Sequence, residues 1–283
     1  MTTNTTEKPA ASILVQPREK KKKGGMITAG IVVIVGLEKS SKSTLMASSG
    51  AYVINLDAGD ADHIDGRIHD IVEERDEDGN ITKSRLAIFR EVITAVMADP
   101  SIQIVGLDTF GTFVKLQAQE IAEAAGLKSI TDRKEGVNGY ALWDELAART
   151  ERFINMMRTS GKLFIIAAHC KAPELNDEKQ VVIPSGIDTY NKPGTMLARR
   201  ADLIGYAYKK EVAGKNEYRL SFQGGPLGAW GSRVDALNDK TVKLDKKNPW
   251  ASLLAAAEGP QDAAAEPAVE TKPKKAEKSR GGK

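Results

Sequence analysis

One stretch of nine residues constrains the fold of this chain more than any other. Gly36-Leu37-Glu38-Lys39-Ser40-Ser41-Lys42-Ser43-Thr44 follows directly on Ile31–Val35, a continuous apolar and largely β-branched run. Such a run is expected to be a strand buried on both faces. A strand, then Gly, four residues, Gly, Lys and Ser or Thr, then a helix, is the pattern of a loop that cradles phosphates. Its backbone N–H groups and the start of the helix face the anion. Lys42 is placed to reach the β- and γ-phosphates and the Ser43 hydroxyl to hold magnesium. The expected ligands are therefore ATP and Mg2+, bound by residues Gly36 to Thr44. Ser41 departs from the pattern, standing where the second glycine belongs, and its side chain is expected to crowd the phosphates or slow the chemistry.

Such a loop needs a partner, an acid at the end of a distant strand that helps to hold the magnesium. Ile102–Leu107 is another buried-strand run, and it ends in Asp108. Ligands of open α/β sheets lie at the carboxyl ends of the strands, so Asp108 is the expected second magnesium-site residue. The competing reading is a strand-end Asp that makes a helix cap, with Thr109 nearby.

The rest of the body alternates in period. Strand patterns recur at Tyr52–Leu56, Leu163–Ala168, Leu203–Lys209 and Tyr218–Phe222. Helical patterns start at Lys42 and run over Leu86–Ala98, Val114–Ala125 and Tyr140–Thr159. Ile68–Glu74 and Ile81–Arg85 flank Asp76-Glu77-Asp78-Gly79-Asn80, which reads as a hairpin turn rather than a calcium loop because the later ligand spacing is missing. Trp143, Phe153, Met156 and Met157 fall at helical spacing and read as core. The expected fold is α/β, a mainly parallel sheet with helices on both faces.

With 283 residues, 41% of them apolar, the chain can bury one sizeable core. Residues 1–25 and 259–283 are expected to be disordered tails around a body of 26–258, since their composition buries too little surface to offset ordering entropy. The tails also carry the charge. They hold +4 and +2 of a net +3, which leaves the body at −3. Overall charge therefore gives no argument for nucleic acid, and only local patches can. One cysteine and three histidines exclude a disulfide framework and a structural zinc site. No apolar run approaches the ~20 residues needed to cross a bilayer, so a cytoplasmic protein without a membrane partner is expected.

In the order of these segments the chain resembles the compact bacteriophage RecA-like P-loop ATPases of single-strand annealing and recombination. The resemblance covers roughly 26–258 and rests on Gly36–Thr44, Val53–Asp57, the strand ending in Asp108-Thr109, and the strand ending in His169. It implies that Asp57, closing the second strand, activates the attacking water, with Asp60 as the fallback. It implies that His169 senses the γ-phosphate. It also implies a homo-oligomer that acts on single-stranded DNA in the host cytoplasm, with a single-strand-binding protein as a further partner. The DNA-facing loops would be Gly126–Gly139, with Lys128, Arg133 and Lys134, and Lys171–Gly194, with Lys171, Lys179 and Lys192. Arg199, Arg200 and Arg233 are candidates for a cation supplied to a neighbouring subunit's site. Two other functions remain open: a different P-loop ATPase such as a helicase loader or nucleotide kinase, and a non-hydrolysing assembly switch suggested by Ser41 and Asp57.

Overall fold

Gly30–Gly36 forms the central strand β1, and its residues alternate between two cores. Ile31, Val33 and Val35 point to one face, Val32 and Ile34 to the other. All five are buried, which is why the run carries no polar position. The structure is a computed structural model that describes residues 27, 30–57, 64–171, 174–175, 181–183, 185–224, 228 and 230–259. Both tails except Gly259, together with Asp60, Pro173, Lys179 and Pro184, lie outside those residues.

After β1 come α1 (Lys42–Ser48), β2 (Tyr52–Asn55), β3 (Arg67–Asp70), β4 (Glu74–Arg75), β5 (Ile81–Lys83), α2 (Arg85–Ala98) and β6 (Ile104–Asp108). The middle of the chain forms α3 (Phe110–Ala124), α4 (Gly139–Thr159), β7 (Leu163–Lys171), β8 (Glu174–Leu175), β9 (Val181–Ile183), β10 (Gly186–Ile187) and α5 (Asn191–Arg200). The last part forms β11 (Leu203–Val212), β12 (Lys215–Ser221), β13 (Gly231–Ser232), β14 (Thr241–Leu244) and α6 (Pro249–Glu258). The main sheet runs β14-β12-β11-β1-β7-β6-β2-β3. From β11 to β3 every pairing is parallel, while β12 and β14 add antiparallel strands at one edge. Helices α2 to α5 pack on the Ile31–Val33–Val35 face, and α1 and α6 on the other. The expected mainly parallel α/β sheet with helices on both faces is what forms.

Helix starts follow local chemistry. Ser84, Thr109, Asn138 and Asn248 each accept a backbone N–H of the following turn, opening α2, α3, α4 and α6. Phe89, Phe113 and Phe153 pack with ring centroids 4.3–5.8 Å apart and lock α2, α3 and α4 together. Met157 thus takes the core place its spacing implies, with Trp143, Phe153 and Met156 partly buried against that core.

Two sequence expectations are corrected. Ile68–Glu74 is not one arm of a hairpin. Arg67–Asp70 lies parallel to β2 at the sheet edge, and the hairpin is the short pair β4–β5, turned at Asp76–Asn80. Asp76 accepts the N–H groups of Asp78 and Asn80 there, and Gly79 takes φ 84°. Second, Lys171–Gly194 is not an open loop. β8 pairs with β9, β10 pairs with β7, and α5 begins at Asn191 despite Pro193 and Gly194. Proline is tolerated in a first turn, where its missing N–H has no partner to lose. Leu197, fully buried, then anchors the helix.

Candidate nucleotide site

The switch point of the sheet lies at β1: the chain leaves it toward β2, while β11 returns on its other side. Ligands of such sheets bind at the carboxyl ends flanking this point. A cavity of about 1040 Å3 opens there, lined among others by Glu38 to Thr44, Asp57, Asp108 and His169. The loop from Glu38, the two strand-ending acids and the histidine, separated by up to 131 positions in sequence (38 to 169), thus meet in one place. Gly36 and Leu37 do not line it. Their carbonyl oxygens accept from Lys42 Nζ, at 3.2 and 2.8 Å.

Gly36 is dictated by packing. A Cβ there would stand 2.5 Å from the Ala207 carbonyl oxygen and 2.6 Å from Ser40 Oγ. Ser41 is held by a different demand: its φ is 70° and ψ 25°, in the left-handed region. That is what the pattern's second glycine supplies without penalty. Lys39 shares the conformation at φ 57°. The consequence of Ser41 is thus backbone strain rather than only a side chain near the phosphates. Ser41→Gly is expected to raise stability by about 1 kcal/mol and to tighten nucleotide binding. Ser41→Val should lower both, because a β-branched residue tolerates that region least. A denaturant midpoint for Ser41→Gly below that of the parent protein would contradict this account.

Lys42 is 6% exposed, an ammonium buried against two carbonyls. Burial pulls its pKa below the ordinary lysine value, opposed most strongly by the charge of Asp108. Asp108 is displaced in the opposite sense. Burial raises its carboxyl above the usual range, a hydrogen bond from Ser43 counters this, and the nearby Asp57 charge adds to the rise. Both charged forms are therefore disfavoured in the site as it stands, and each would be relieved by a counter-ion of opposite sign. Ser43 Oγ donates to Asp108 Oδ2 at 2.5 Å, so the hydroxyl and the acid expected to share a magnesium already touch. Ser40 Oγ is buried and has no hydrogen-bond partner, although it lines the cavity. An orphaned hydroxyl at this depth is costly unless a ligand engages it. Among the described residues no three His, Cys, Asp or Glu form a metal-binding group. A magnesium in a phosphate loop needs none, because it takes most of its oxygens from water and phosphate.

Asp57 lies just past β2, and both its carboxylate oxygens are held. Thr112 Oγ1 donates to Oδ1 at 2.5 Å and Thr109 Oγ1 to Oδ2 at 3.0 Å. The cap of α3 is Thr109 and not Asp108, whose side chain accepts from Ser43 instead. His169 stands beside Gly36 in the parallel register of β7 and β1.

Sequence reasoning missed several cavity residues: Thr112, Asn55, Arg85, Lys115 and Asp188. Thr112 had a legible signal, three residues after Thr109 on one helix turn. Arg85 and Lys115 had none, since their neighbourhood is set by how α2 and α3 cross the strand ends. Arg199, Arg200 and Arg233 do not line the cavity. Arg233 instead pairs with Asp202 at 3.4 Å and donates to the Arg199 carbonyl at 3.0 Å. Lys128, Arg133 and Lys134 sit in the turn after α3, pinned by buried Leu127 and Ile130 and away from the cavity. Lys192 is in α5, ion-paired to Asp144 at 2.9 Å, and not on a loop.

A glycine-started loop, its buried lysine and a strand-end acid bonded to the loop serine define a P-loop nucleotide-binding protein of the α/β class. The chain belongs to the AAA domain family, whose model matches residues 29–234 and so encloses every residue of this site. A comparison with curated proteins gives no match. Among solved structures the chain is similar to the flagellar accessory protein FlaH from Methanocaldococcus jannaschii, at 13% identity and a TM-score of 0.36, over 78% of this chain and 87% of that one. A likeness so slight carries no argument about function. Among the described residues no helix is long and apolar enough to cross a membrane.

Proposed function

We propose that the protein binds ATP with Mg2+ at the Gly36–Thr44 loop, hydrolyses it, and couples the nucleotide state to single-stranded DNA as a homo-oligomer. The observation that carries the nucleotide part is the matched pair of buried, opposite charges, Lys42 and Asp108, joined to the loop by Ser43. Lys42 and the Ser40 hydroxyl would meet phosphate oxygens, while Ser43 and Asp108 would hold the magnesium. The metal, when bound, offsets charge on the β- and γ-phosphates. Ile64, Ile71 and Val72 give the same cavity an apolar wall suited to a nucleobase.

In this reading Asp57 orients the attacking water and takes its proton, held in place by the hydroxyls of Thr109 and Thr112. His169 faces the site from β7 as the γ-phosphate sensor. A neighbouring copy would contribute a cation such as Arg199, Arg200 or Arg233, whose exposed positions leave them available to another subunit. The DNA part rests on the resemblance to phage recombination ATPases and on local cationic surfaces.

A second reading has one observation in its favour. Ser41 sits strained in the loop and Asp57 is one carbon shorter than a glutamate, which suits a slow nucleotide-driven assembly switch. Steady-state phosphate release with and without oligothymidylate separates the two. ATPase activity that rises at least several-fold with single-stranded DNA supports the first reading. Tight ATP binding without turnover under either condition supports the switch and removes the hydrolytic claim.

A further inference from the structure

Past β11 the sheet extends into a region that, among the described residues, a helix covers on one face only. In an antiparallel ladder, residues directly opposite each other share a face. Ala207, Leu220, Val242 and Leu244 form one face, packed on Trp250, Leu253 and Ala257 of α6. The other face carries Tyr206 opposite Ser221, Tyr208 opposite Arg219, Lys210 opposite Glu217, Val212 opposite Lys215, and Lys243 opposite Arg219 on its far side. Among the described residues no helix packs on it as α6 packs on its reverse.

This uncovered face has an unusual composition. Tyr208 and Tyr206 stack with centroids 5.8 Å apart and planes 19° apart, and Trp230 continues the stack beyond Tyr206 at 5.3 Å and 14°. All three side chains are partly exposed. Four cations share this face with the stack, Lys210, Lys215, Arg219 and Lys243, against a single acid on the same face of the paired strands, Glu217. Glu217 is bonded to Arg219 at 2.8 Å and to Lys243 at 2.6 Å. Lys210 and Lys215 remain exposed without an ion pair among the described residues. The body sums to −3, so this concentration of cations is local and not a reflection of bulk charge. Aromatic side chains interleaved with cations on an open sheet face suit a strand of unpaired bases: ring faces stack the bases and ammonium groups meet the phosphates.

The same strand touches the nucleotide loop. Ala207, between the two tyrosines, is paired with Gly36, and its carbonyl fills the place a Cβ on Gly36 would need. Any shift of the loop's first residue therefore moves the backbone that carries Tyr206 and Tyr208.

We propose that the β11–β12–β14 face is the single-stranded DNA platform, with Tyr208 and the stack behind it engaging bases and Lys210, Lys215 and Lys243 engaging phosphates. This rests on the single-stranded DNA reading above and places DNA here rather than in the turn holding Arg133 and Lys134. The test is fluorescence anisotropy of labelled oligothymidylate against the full chain with ATP and magnesium, over a salt series. Tyr208→Ala weakens binding about tenfold, while Tyr208→Phe, which keeps the ring, binds as the parent does. Removing Lys210 and Lys215 together lowers the slope of log affinity on log salt by roughly 0.7 for each phosphate no longer neutralised. ATP affinity, measured by calorimetry, stays at the parental value in all three variants and confirms the fold. Parental DNA affinity in Tyr208→Ala, with the weakening seen instead in Arg133→Ala/Lys134→Ala, overturns the platform and leaves the DNA reading standing. No binding of oligothymidylate by the parent protein overturns both.

Discussion

Asp57→Asn is expected to bind ATP as the parent protein does and to turn it over about 100-fold more slowly, or worse, the usual scale for losing a general base. The substitution is nearly isosteric: one of the Thr109 and Thr112 hydroxyls that grip Asp57 can go on donating to the amide oxygen while the other accepts from its NH2. The fold and the cavity should therefore persist, so that a loss of rate reports on proton transfer alone. Single-turnover phosphate release beside a binding titration checks it. If turnover survives, the base is another acid. Glu38, Glu73 and Asp188 line the same cavity and would be substituted next. Thr112→Val should give a smaller defect that falls on turnover and not on ATP affinity, as expected of a group that only positions the carboxylate.

The parts of this molecule legible in its sequence are those whose structural demand is local or periodic. Ile31–Val35 is uninterrupted because both its faces are buried, and Gly36, Lys42 and Ser43 keep fixed spacing because one loop carries them all. Asp108 could be found because it ends a second buried run. What was not legible depends on packing between distant segments. Ile68–Glu74 was legible as an extended segment but not as an edge strand beside β2, because that pairing joins segments whose partner no local pattern names. Pro193 and Gly194 conceal α5, whose stability comes from burying Leu197 rather than from helix propensity. Ser41 was legible as a departure from the pattern, but its left-handed backbone was not. The aromatic stack was hidden most completely. Tyr206 and Tyr208 share a face of one strand by their spacing, but Trp230 joins them only where β13 folds the chain back against β11.

The central claim is that the Gly36–Thr44 loop is a working phosphate site, and Lys42→Ala tests it. The Lys42 ammonium is buried, depressed in pKa by that burial, and within the loop it donates to the carbonyls of Gly36 and Leu37. With a nucleotide bound, the ammonium would donate to phosphate oxygens as well, in bonds between charged groups each worth about 1.5–3 kcal/mol. Removing the cation should therefore weaken ATP binding by about 100-fold. The unliganded variant should still melt cooperatively, at a lower temperature than the parent, since Asp108 loses its buried counter-charge while both cores stay intact. Calorimetric titration of ATP and magnesium into parent and Lys42→Ala protein, with a thermal melt of each, is the most direct measurement. The account predicts binding by the parent and a loss of about two orders of magnitude in the folded variant. Equal affinity in a folded Lys42→Ala protein, or no binding by the parent, would contradict it.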